Sequence, residues 1–428
     1  MNEYDSNRIL DLVKSAGYQQ TKEIEETDCY ILNTCHIREK ATEKVYHDVG
    51  RLRKVFNKKK KPILLVTGCV AQAEGEEMLK REKYIDGVVG PQSYHEIPNI
   101  LKKIEKNKVK VNSTEFNVIE KFDKLNVIKN QNSKVSSFLT IQEGCDKFCN
   151  FCVVPYTRGS EYSRSLEEIL LEAKNLINNG TREITLLGQN VNAYSNNKNR
   201  LSDLILELNE LNGLERIRYT TSHPKDVSKD LIDAHKNCSK LMPYLHLPVQ
   251  SGSTKILKSM NRRHSIEEYR SILNDLKEKR PNIEFSSDFI IGYPGETDED
   301  FEKSLLLLKE VKFINIFSFI YSPRPGTPAA NINNFDLSES KKRLMIFQNA
   351  ADKIKKEYRE KLMNKEAKVL FENKMKDNVS YFGRDEFQNS VVVKSSENLT
   401  GKTLIVKINN FNINTMFGEV VKNKYMAA

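Results

Sequence analysis

Apolar positions in this chain follow two rhythms that alternate along most of its length. Ile9, Leu10 and Val13 recur at helical spacing and stop at Gly17, which predicts an amphipathic helix over 6–16. Short β-prone runs at 29–34 and 62–67 follow, separated by a charged helical stretch at 38–56. Further helical patterns lie at 73–81 and 94–104. Strands alternating with helices over 1–107 predict a small parallel sheet. From Val135 the rhythm resumes, with strands expected at 138–142, 183–187, 217–221, 244–248, 285–291 and 314–321. Helices are expected between them at 166–178, 202–211, 226–235, 266–279 and 298–311. Six such units make an incomplete barrel of parallel strands, a partial (βα)6 barrel. A long charged helix is expected over 338–363, and then the period changes. Five short β runs at 367–371, 379–382, 390–393, 403–408 and 418–421 predict a small OB-like β-barrel.

The fold class is therefore α/β with a small β domain at the end. The expected divisions are an N-terminal parallel α/β domain (1–107), a linker (108–134), a barrel core (135–362) and the OB-like barrel (363–426). The linker reading rests on Asn, Lys and Ser with weak periodicity. An α/β unit ordinarily opens with a strand, whereas this chain opens on a helix. The expected first strand, with whatever residue stood at its carboxyl end, is thus placed ahead of Met1.

Composition narrows the class. Over 428 residues, 39% are hydrophobic and mean hydropathy is −0.57, and the apolar runs stay far below the length needed to span a bilayer. Met1-Asn2-Glu3-Tyr4-Asp5 does not read as a secretory signal. Seven cysteines without disulfide-like regularity fit a reducing compartment, so a cytoplasmic protein is expected. A net charge of +10 favours an anionic partner such as nucleic acid, although a lysine run such as Lys58 to Lys61 is more often a solvated face. Tyr381, Phe382 and Phe387 in the terminal barrel are candidates to stack bases.

The chemistry concentrates at Gly144-Cys145-Asp146-Lys147-Phe148-Cys149-Asn150-Phe151-Cys152. Three of the seven cysteines fall here at spacing C-x3-C-x2-C, directly after the first barrel strand. Thiolates bunched on a loop suit a soft metal centre. Iron–sulfur clusters normally take four cysteines, so three suggest a four-iron cluster with one iron open to another ligand. A zinc knot would want a fourth Cys or His nearby, yet the nearest histidines are His95 and His223. Cys35 and Cys69 follow the strands at 29–34 and 62–67, which puts both on the carboxyl rim of the sheet. Cys29 begins its strand, about a strand length away. Other strand-end loops contribute Gln189, Asn190, Ser222, Gln250 and Gly292 as candidate ligand contacts. His223 and His246 read as packed, hydrogen-bonded histidines, and Cys238 as a buried thiol.

C-x3-C-x-aromatic-C, with Phe151 as the aromatic, resembles the signature of the radical S-adenosylmethionine (SAM) superfamily. The whole chain, from residue 1 to about 425, resembles its methylthiotransferase family and most closely the MiaB-type branch. The residues that carry the likeness are Asn33 to Ala41, Gly68-Cys69-Val70-Ala71-Gln72, Gly144 through Gly159, Leu186 to Asn192, His246 to Gly252 and Ile320 to Pro328. The resemblance implies two [4Fe–4S] clusters and SAM. Cys145, Cys149 and Cys152 would hold the cluster that engages SAM, and Phe151, Gln189, Asn190, Ser222, Gln250 and Gly292 would line the SAM site. Cys35 and Cys69 would hold an auxiliary cluster that carries the transferred sulfur. The implied reaction places a methylthio group on carbon 2 of N6-dimethylallyladenosine at position 37 of tRNA. No catalytic side chain beyond the cluster ligands is implied. The terminal barrel is similar to a TRAM domain, an RNA-gripping module. A flavodoxin or ferredoxin would supply electrons to a monomeric enzyme.

One departure stands out. The family's auxiliary cluster takes three cysteines, and the matching positions here carry Cys35 and Cys69; the third is expected in the strand ahead of Met1. Two other readings stay open at this point. One is a methylthiotransferase for a different tRNA nucleoside or a ribosomal protein. The other is a non-catalytic iron–sulfur RNA-binding protein.

Overall fold

The computed structural model describes residues 1–35, 40–116, 118–126, 134–332 and 336–421. The chain divides into two compact units. The first comprises Met1–Asn132, Gln142–Arg164 and Arg324–Thr327, and the second holds the remainder.

In the first unit a parallel sheet runs in the order Cys29–Thr34, Ile63–Gly68, Gly87–Val89, Val111–Ser113. Leu64, Leu65 and Val66 are fully buried, as expected for a parallel strand covered on both faces. The helix Ile97–Asn107 lays Ile97, Ile100, Leu101 and Ile104 into one of the two clusters that sandwich the sheet. Asn2–Ser15 adds Ile9, Leu12 and Val13 to the same cluster. Residues 36–39 of the expected family stretch lie outside the described residues.

The expected linker at 108–134 is corrected here. It carries the strand Val111–Ser113 and the helix Val118–Asn126, whose Phe122 and Leu125 are buried. The reason the pattern looked weak is Lys121, which is fully buried beside them with its ammonium 4.4 Å from the centre of the Tyr94 ring. A polarity pattern counts that lysine as solvent-facing. Residues 127–133 lie outside the described residues.

The first unit also contains the cysteine loop, grouped with the barrel core in the expected division. Gln142–Glu143 pairs antiparallel with Tyr162–Ser163 and closes the base of the loop.

The second unit contains all six expected barrel strands as parallel sheets of three. One has the order Arg216–Thr220, Glu183–Leu187, Ser136–Thr140, and the other Tyr244–His246, Glu284–Ile291, Asn315–Ile320. An isolated parallel bridge pairs Ile217 with Leu241, just ahead of Tyr244–His246. The intervening helices start where the sequence supplies caps. Ser265 with Glu268 and Thr297 with Asp300 form capping boxes that fix the starts of Ile266–Lys279 and Asp298–Val311. After the long helix Leu337–Glu360, five strands close a barrel in the order Glu366–Lys374, Ser380–Arg384, Ser390–Lys394, Met416–Val420, Thr403–Phe411.

Arg216 and Arg218, on the same face of their strand, join the terminal barrel to the core. Arg216 donates to the carbonyls of Arg384 and Lys368, each at 2.8 Å. Arg218 donates to the carbonyls of Glu386 and Asp385 and to the Glu183 carboxylate. Tyr381, expected to stack bases, is instead buried in the barrel's own core, because its strand alternation turns it inward. Phe382 is half-buried under the Arg384 guanidinium, and Phe387 is half-buried. Among the described residues no helix is long and apolar enough to cross a membrane.

Candidate functional site

The cysteine loop is held at both ends by its own backbone. Cys145 N–H donates to the Gly159 carbonyl at 3.1 Å, and Cys152 N–H to the Cys149 carbonyl at 2.9 Å. Asp146 and Glu161 exchange reciprocal backbone-to-carboxylate bonds at 3.3 and 3.2 Å across the base. Gly144 has φ +76°, and a Cβ there would fall 1.9 Å from the Ser160 carbonyl oxygen, so only glycine lets the two arms of the loop meet. Cys149 is buried, while Cys145 and Cys152 are partly open. Burial pushes the Cys145 thiol up to about 11, with Glu161 and Cys149 adding to the push against the Lys147 N–H. Phe151 is half-buried within the same loop.

The donor set suits an iron–sulfur cluster chemically: three soft thiols on one short, pinned loop, leaving one iron for a ligand not drawn from the protein. No three His, Cys, Asp or Glu side chains among the described residues stand in metal-holding geometry. The fit therefore rests on donor chemistry and loop anchoring.

Cys35 and Cys69 follow directly on paired residues, since Thr34 is in register with Gly68. The Thr34 hydroxyl donates to the Thr67 carbonyl at 2.6 Å and accepts from Val70 N–H at 3.3 Å, tying the two strand ends together. Gly68 has φ +94°, and its absent Cβ would sit 2.2 Å from the Thr34 carbonyl oxygen. Cys29 pairs with Ile63 at the other end of the strand. Burial pushes its thiol up to about 12.

Arg158, six positions after Cys152, reaches this rim from the cysteine loop. Its Nε–H donates to Cys69 Sγ at 3.3 Å, its Nη2 donates to Asp5 Oδ2 at 2.7 Å, and its Nη1 lies 3.8 Å from Glu143 Oε2. Lys121 Nζ donates to Glu143 Oε1 at 2.5 Å, and Gln92 Nε2 donates to the Arg158 carbonyl at 2.9 Å. Asp5, Lys121, Glu143 and Arg158 are all buried. Burial pushes the Asp5 carboxyl up, but Arg158 and Lys121 outweigh it and hold the group below the usual carboxylate range. Burial works against the Arg158 charge, yet Asp5, Cys69 and Glu143 together hold it more firmly protonated than usual. Burial lowers Lys121 despite Glu143 and Asp5. Asp5 Oδ1, Glu143 Oε2 and Arg158 Nη1 have no hydrogen-bond partner among the described residues.

Sequence reasoning missed this network because its members lie at positions 5, 121, 143 and 158. The one available signal was Arg158-Gly159 at the end of the quoted cysteine motif.

The remaining candidates belong to the second unit, at the carboxyl ends of its strands. Asn190 is buried and donates through Nδ2 to Asp226 Oδ2 at 2.7 Å. Ser222 is buried, and its hydroxyl has no partner among the described residues. Gln250 has φ +78° and exchanges backbone bonds with the strand Glu284–Ile291 through Asp288 and Ile290. Gln189 precedes Asn190 on the same loop and is half-buried. Gly292 has φ +71° and packs so tightly that a Cβ would meet Ser340 Oγ at 2.0 Å, which gives it a packing role in this unit. His223 is buried and accepts from Lys225 N–H, and His246 Nδ1 bonds Ser286 Oγ at 2.8 Å. Cys238 is buried. Phe151 and the cysteine trio lie in the first unit, apart in chain grouping from these five.

Comparison with known proteins places the chain in a family. Residues 139–308 match the Radical SAM superfamily, and residues 1–90 match uncharacterized protein family UPF0004. The chain is 57% identical over 429 residues to the tRNA-2-methylthio-N(6)-dimethylallyladenosine synthase of Pelagibacter ubique, covering 99% of this chain and 96% of that one. It is 48% identical over 417 residues to the enzyme of the same name from Neorickettsia sennetsu, covering 95% and 88%. Among solved structures it is similar in fold to TsrM, a radical SAM methyltransferase from Kitasatospora setae with cobalamin and a [4Fe–4S] cluster bound. That likeness has a TM-score of 0.55 at 12% identity and covers 77% of this chain and 74% of the other. Membership of the radical SAM superfamily implies a [4Fe–4S] cluster and SAM. With more than half of all positions identical to a curated relative over nearly the full length, this chain belongs to the tRNA-2-methylthio-N(6)-dimethylallyladenosine synthase family of radical SAM enzymes.

Proposed function

We propose that this chain places a methylthio group on carbon 2 of N6-dimethylallyladenosine at position 37 of tRNA. The observation that carries the reading furthest is that one compact unit collects the cysteine trio together with Cys35 and Cys69, with Arg158 of the trio's loop bonded to Cys69. A methylthiotransferase needs a sulfur-bearing site beside its SAM-cleaving site, and this arrangement supplies thiols for both.

In this reading Cys145, Cys149 and Cys152 would hold a [4Fe–4S] cluster, and Cys35 and Cys69 would supply two of the ligands of a second. When bound, the first cluster and SAM would supply reductive radical chemistry, suited to a carbon that offers neither an acidic proton nor a leaving group. The protein's own residues position and shield. Gly144 lets the loop close on itself, and the buried Cys149 keeps water from one side of the donor set. Arg158 orients the Cys69 sulfur and neutralises part of its charge, while Asp5 and Glu143 hold the guanidinium in place. Gln189, Asn190, Ser222 and Gln250 present neutral hydrogen-bonding groups at the carboxyl ends of the second unit's strands. The terminal barrel grips RNA, whose unpaired anticodon-loop base is free to be splayed out. A flavodoxin or ferredoxin donates electrons, and the enzyme works as a cytoplasmic monomer.

The test is anaerobic incubation of the reconstituted protein with SAM, a reductant and an anticodon stem-loop carrying N6-dimethylallyladenosine, followed by mass spectrometry of the nucleosides. The expected product is the 2-methylthio nucleoside, lost in Cys149→Ala. Formation of 5′-deoxyadenosine without methylthiolation points to another substrate. No 5′-deoxyadenosine at all leaves a non-catalytic RNA-binding protein.

A further inference from the structure

One sheet of the second unit has a face that the reaction as described leaves unused. Along Tyr244–His246, Glu284–Ile291 and Asn315–Ile320 the side chains alternate between two faces. Leu245, Phe285, Phe289, Ile291 and Ile316 turn to the helices and pack into the core of the unit. The opposite face therefore carries Tyr244, His246, Ser286, Asp288, Phe317 and Phe319. Register sets Phe317 beside Asp288 and Phe319 beside Ile290.

Two features separate this face from an ordinary solvated sheet. Phe317 is 51% exposed and Phe319 44% exposed, two residues apart on one strand, so their rings form a continuous apolar floor. A lone exposed phenylalanine needs no explanation, whereas a patch does. Beside the floor a polar relay ends on a carboxylate. The Tyr244 hydroxyl donates to Ser286 Oγ at 2.8 Å, Ser286 Oγ bonds His246 Nδ1 at 2.8 Å, and His246 Nε2 stands 3.5 Å from Asp288 Oδ2. The His246 ring meets Phe317 at right angles, with centroids 5.9 Å apart. His246 is thus fixed from two sides, and it holds an Asp288 side chain that is 28% exposed.

We propose that this face selects the substituent on the substrate adenosine, with the dimethylallyl chain on Phe317 and Phe319 and the N6–H donating to the Asp288 carboxylate. The proposal rests on the reading of the chain as a tRNA methylthiotransferase and deepens it by naming specificity residues. The dimethylallyl group is branched, apolar and uncharged, and N6 keeps one hydrogen beside it. The phenyl floor answers the first property and the carboxylate the second. A substituent that ends in a carboxylate, such as threonylcarbamoyl, sets its charge against Asp288 and finds no cation on the two rings. His246 acts through Asp288 and is a positioning residue. The adenine of SAM offers an amino edge of the same chemistry, but it carries no chain to cover the floor.

The experiment uses the full reconstituted chain and three labelled anticodon stem-loops that differ only at position 37. These carry adenosine, N6-dimethylallyladenosine or N6-threonylcarbamoyladenosine, and anisotropy gives each Kd. The unmutated chain is expected to bind the dimethylallyl loop at least about tenfold more tightly than the adenosine loop. Phe317→Ala combined with Phe319→Ala is expected to shrink that preference to about twofold. Asp288→Asn is expected to weaken the dimethylallyl loop about three- to tenfold and to tighten the threonylcarbamoyl loop about tenfold. His246→Gln, which releases the carboxylate from its partner, should shrink the discrimination against threonylcarbamoyl by a smaller factor, a readout that lost packing alone does not move. Thermal melting confirms that each variant is folded, and Phe319→Ala alone serves should the double variant fail to fold. Unaltered preferences in folded variants overturn the assignment while leaving the methylthiotransferase reading intact. A fall in SAM affinity, read by equilibrium dialysis without RNA, as large as the loss for the dimethylallyl loop gives the face to the adenine of SAM and overturns it as well. An unmutated chain that neither prefers nor converts the dimethylallyl loop overturns both the assignment and the reading beneath it.

Discussion

Two buried ionic networks, one in each compact unit, use the same residue types for different ends. In the second unit Glu183 receives Arg218, and the two arginines of the strand Arg216–Thr220 spend their remaining N–H groups on carbonyls of the terminal barrel. Neither arginine leaves a buried nitrogen without a partner among the described residues. In the first unit Arg158 spends one N–H on a thiol and one on Asp5, and its Nη1 faces Glu143 Oε2 only at 3.8 Å. Buried polar groups are ordinarily satisfied, and exceptions call for an explanation. A complete network fastens architecture. The looser one ends on the Cys69 thiol, which is proposed to ligate a cluster.

Arg218→Ala leaves Glu183 buried without its direct partner and removes two bonds to the barrel, so it should cost about 3–5 kcal/mol. Chemical denaturation measures this, and a loss under about 1 kcal/mol would deny the network its fastening role. Arg158→Gln should cost less, about 1–3 kcal/mol, since the glutamine amide retains a donor in place of the guanidinium. Its larger effect should fall on metal retention, with affinity at the Cys35–Cys69 site reduced about 10–100-fold. Arg158→Lys keeps the charge without the fork and should recover little. Iron bound per chain against chelator concentration reads this out, independent of turnover. Equal iron retention in wild type and Arg158→Gln would make Arg158 a fastening residue like Arg218.

Much of this architecture was legible because local and global signals agreed. The helices Leu166–Asn178, Ile266–Lys279 and Asp298–Val311 begin at Ser165, Ser265 and Thr297, each of which caps its helix, so even their boundaries follow from the chain. The five strands of the terminal barrel were visible as alternation, although alternation alone did not show that Tyr381 points inward. The strand Gly87–Val89 escaped notice because three residues carry too little periodicity to count. Lys121 hid the helix Val118–Asn126, since an ionic side chain on an apolar face reads as solvent. Of the site, the cysteines were legible from spacing and strand position. Asp5, Glu143 and Arg158 were not, because what joins them is the folded path of the chain and no local pattern records it.

We propose that one compact unit supplies thiols for two clusters, with Arg158 tying the loop of the trio to Cys69. Iron and acid-labile sulfide per chain after anaerobic reconstitution test it most directly, on the wild-type chain and on the Cys145/Cys149/Cys152 triple alanine variant. The expected result is about eight irons in the first and about four in the second, with Cys35 and Cys69 among their ligands. About four irons in the wild type and none in the triple variant would contradict it.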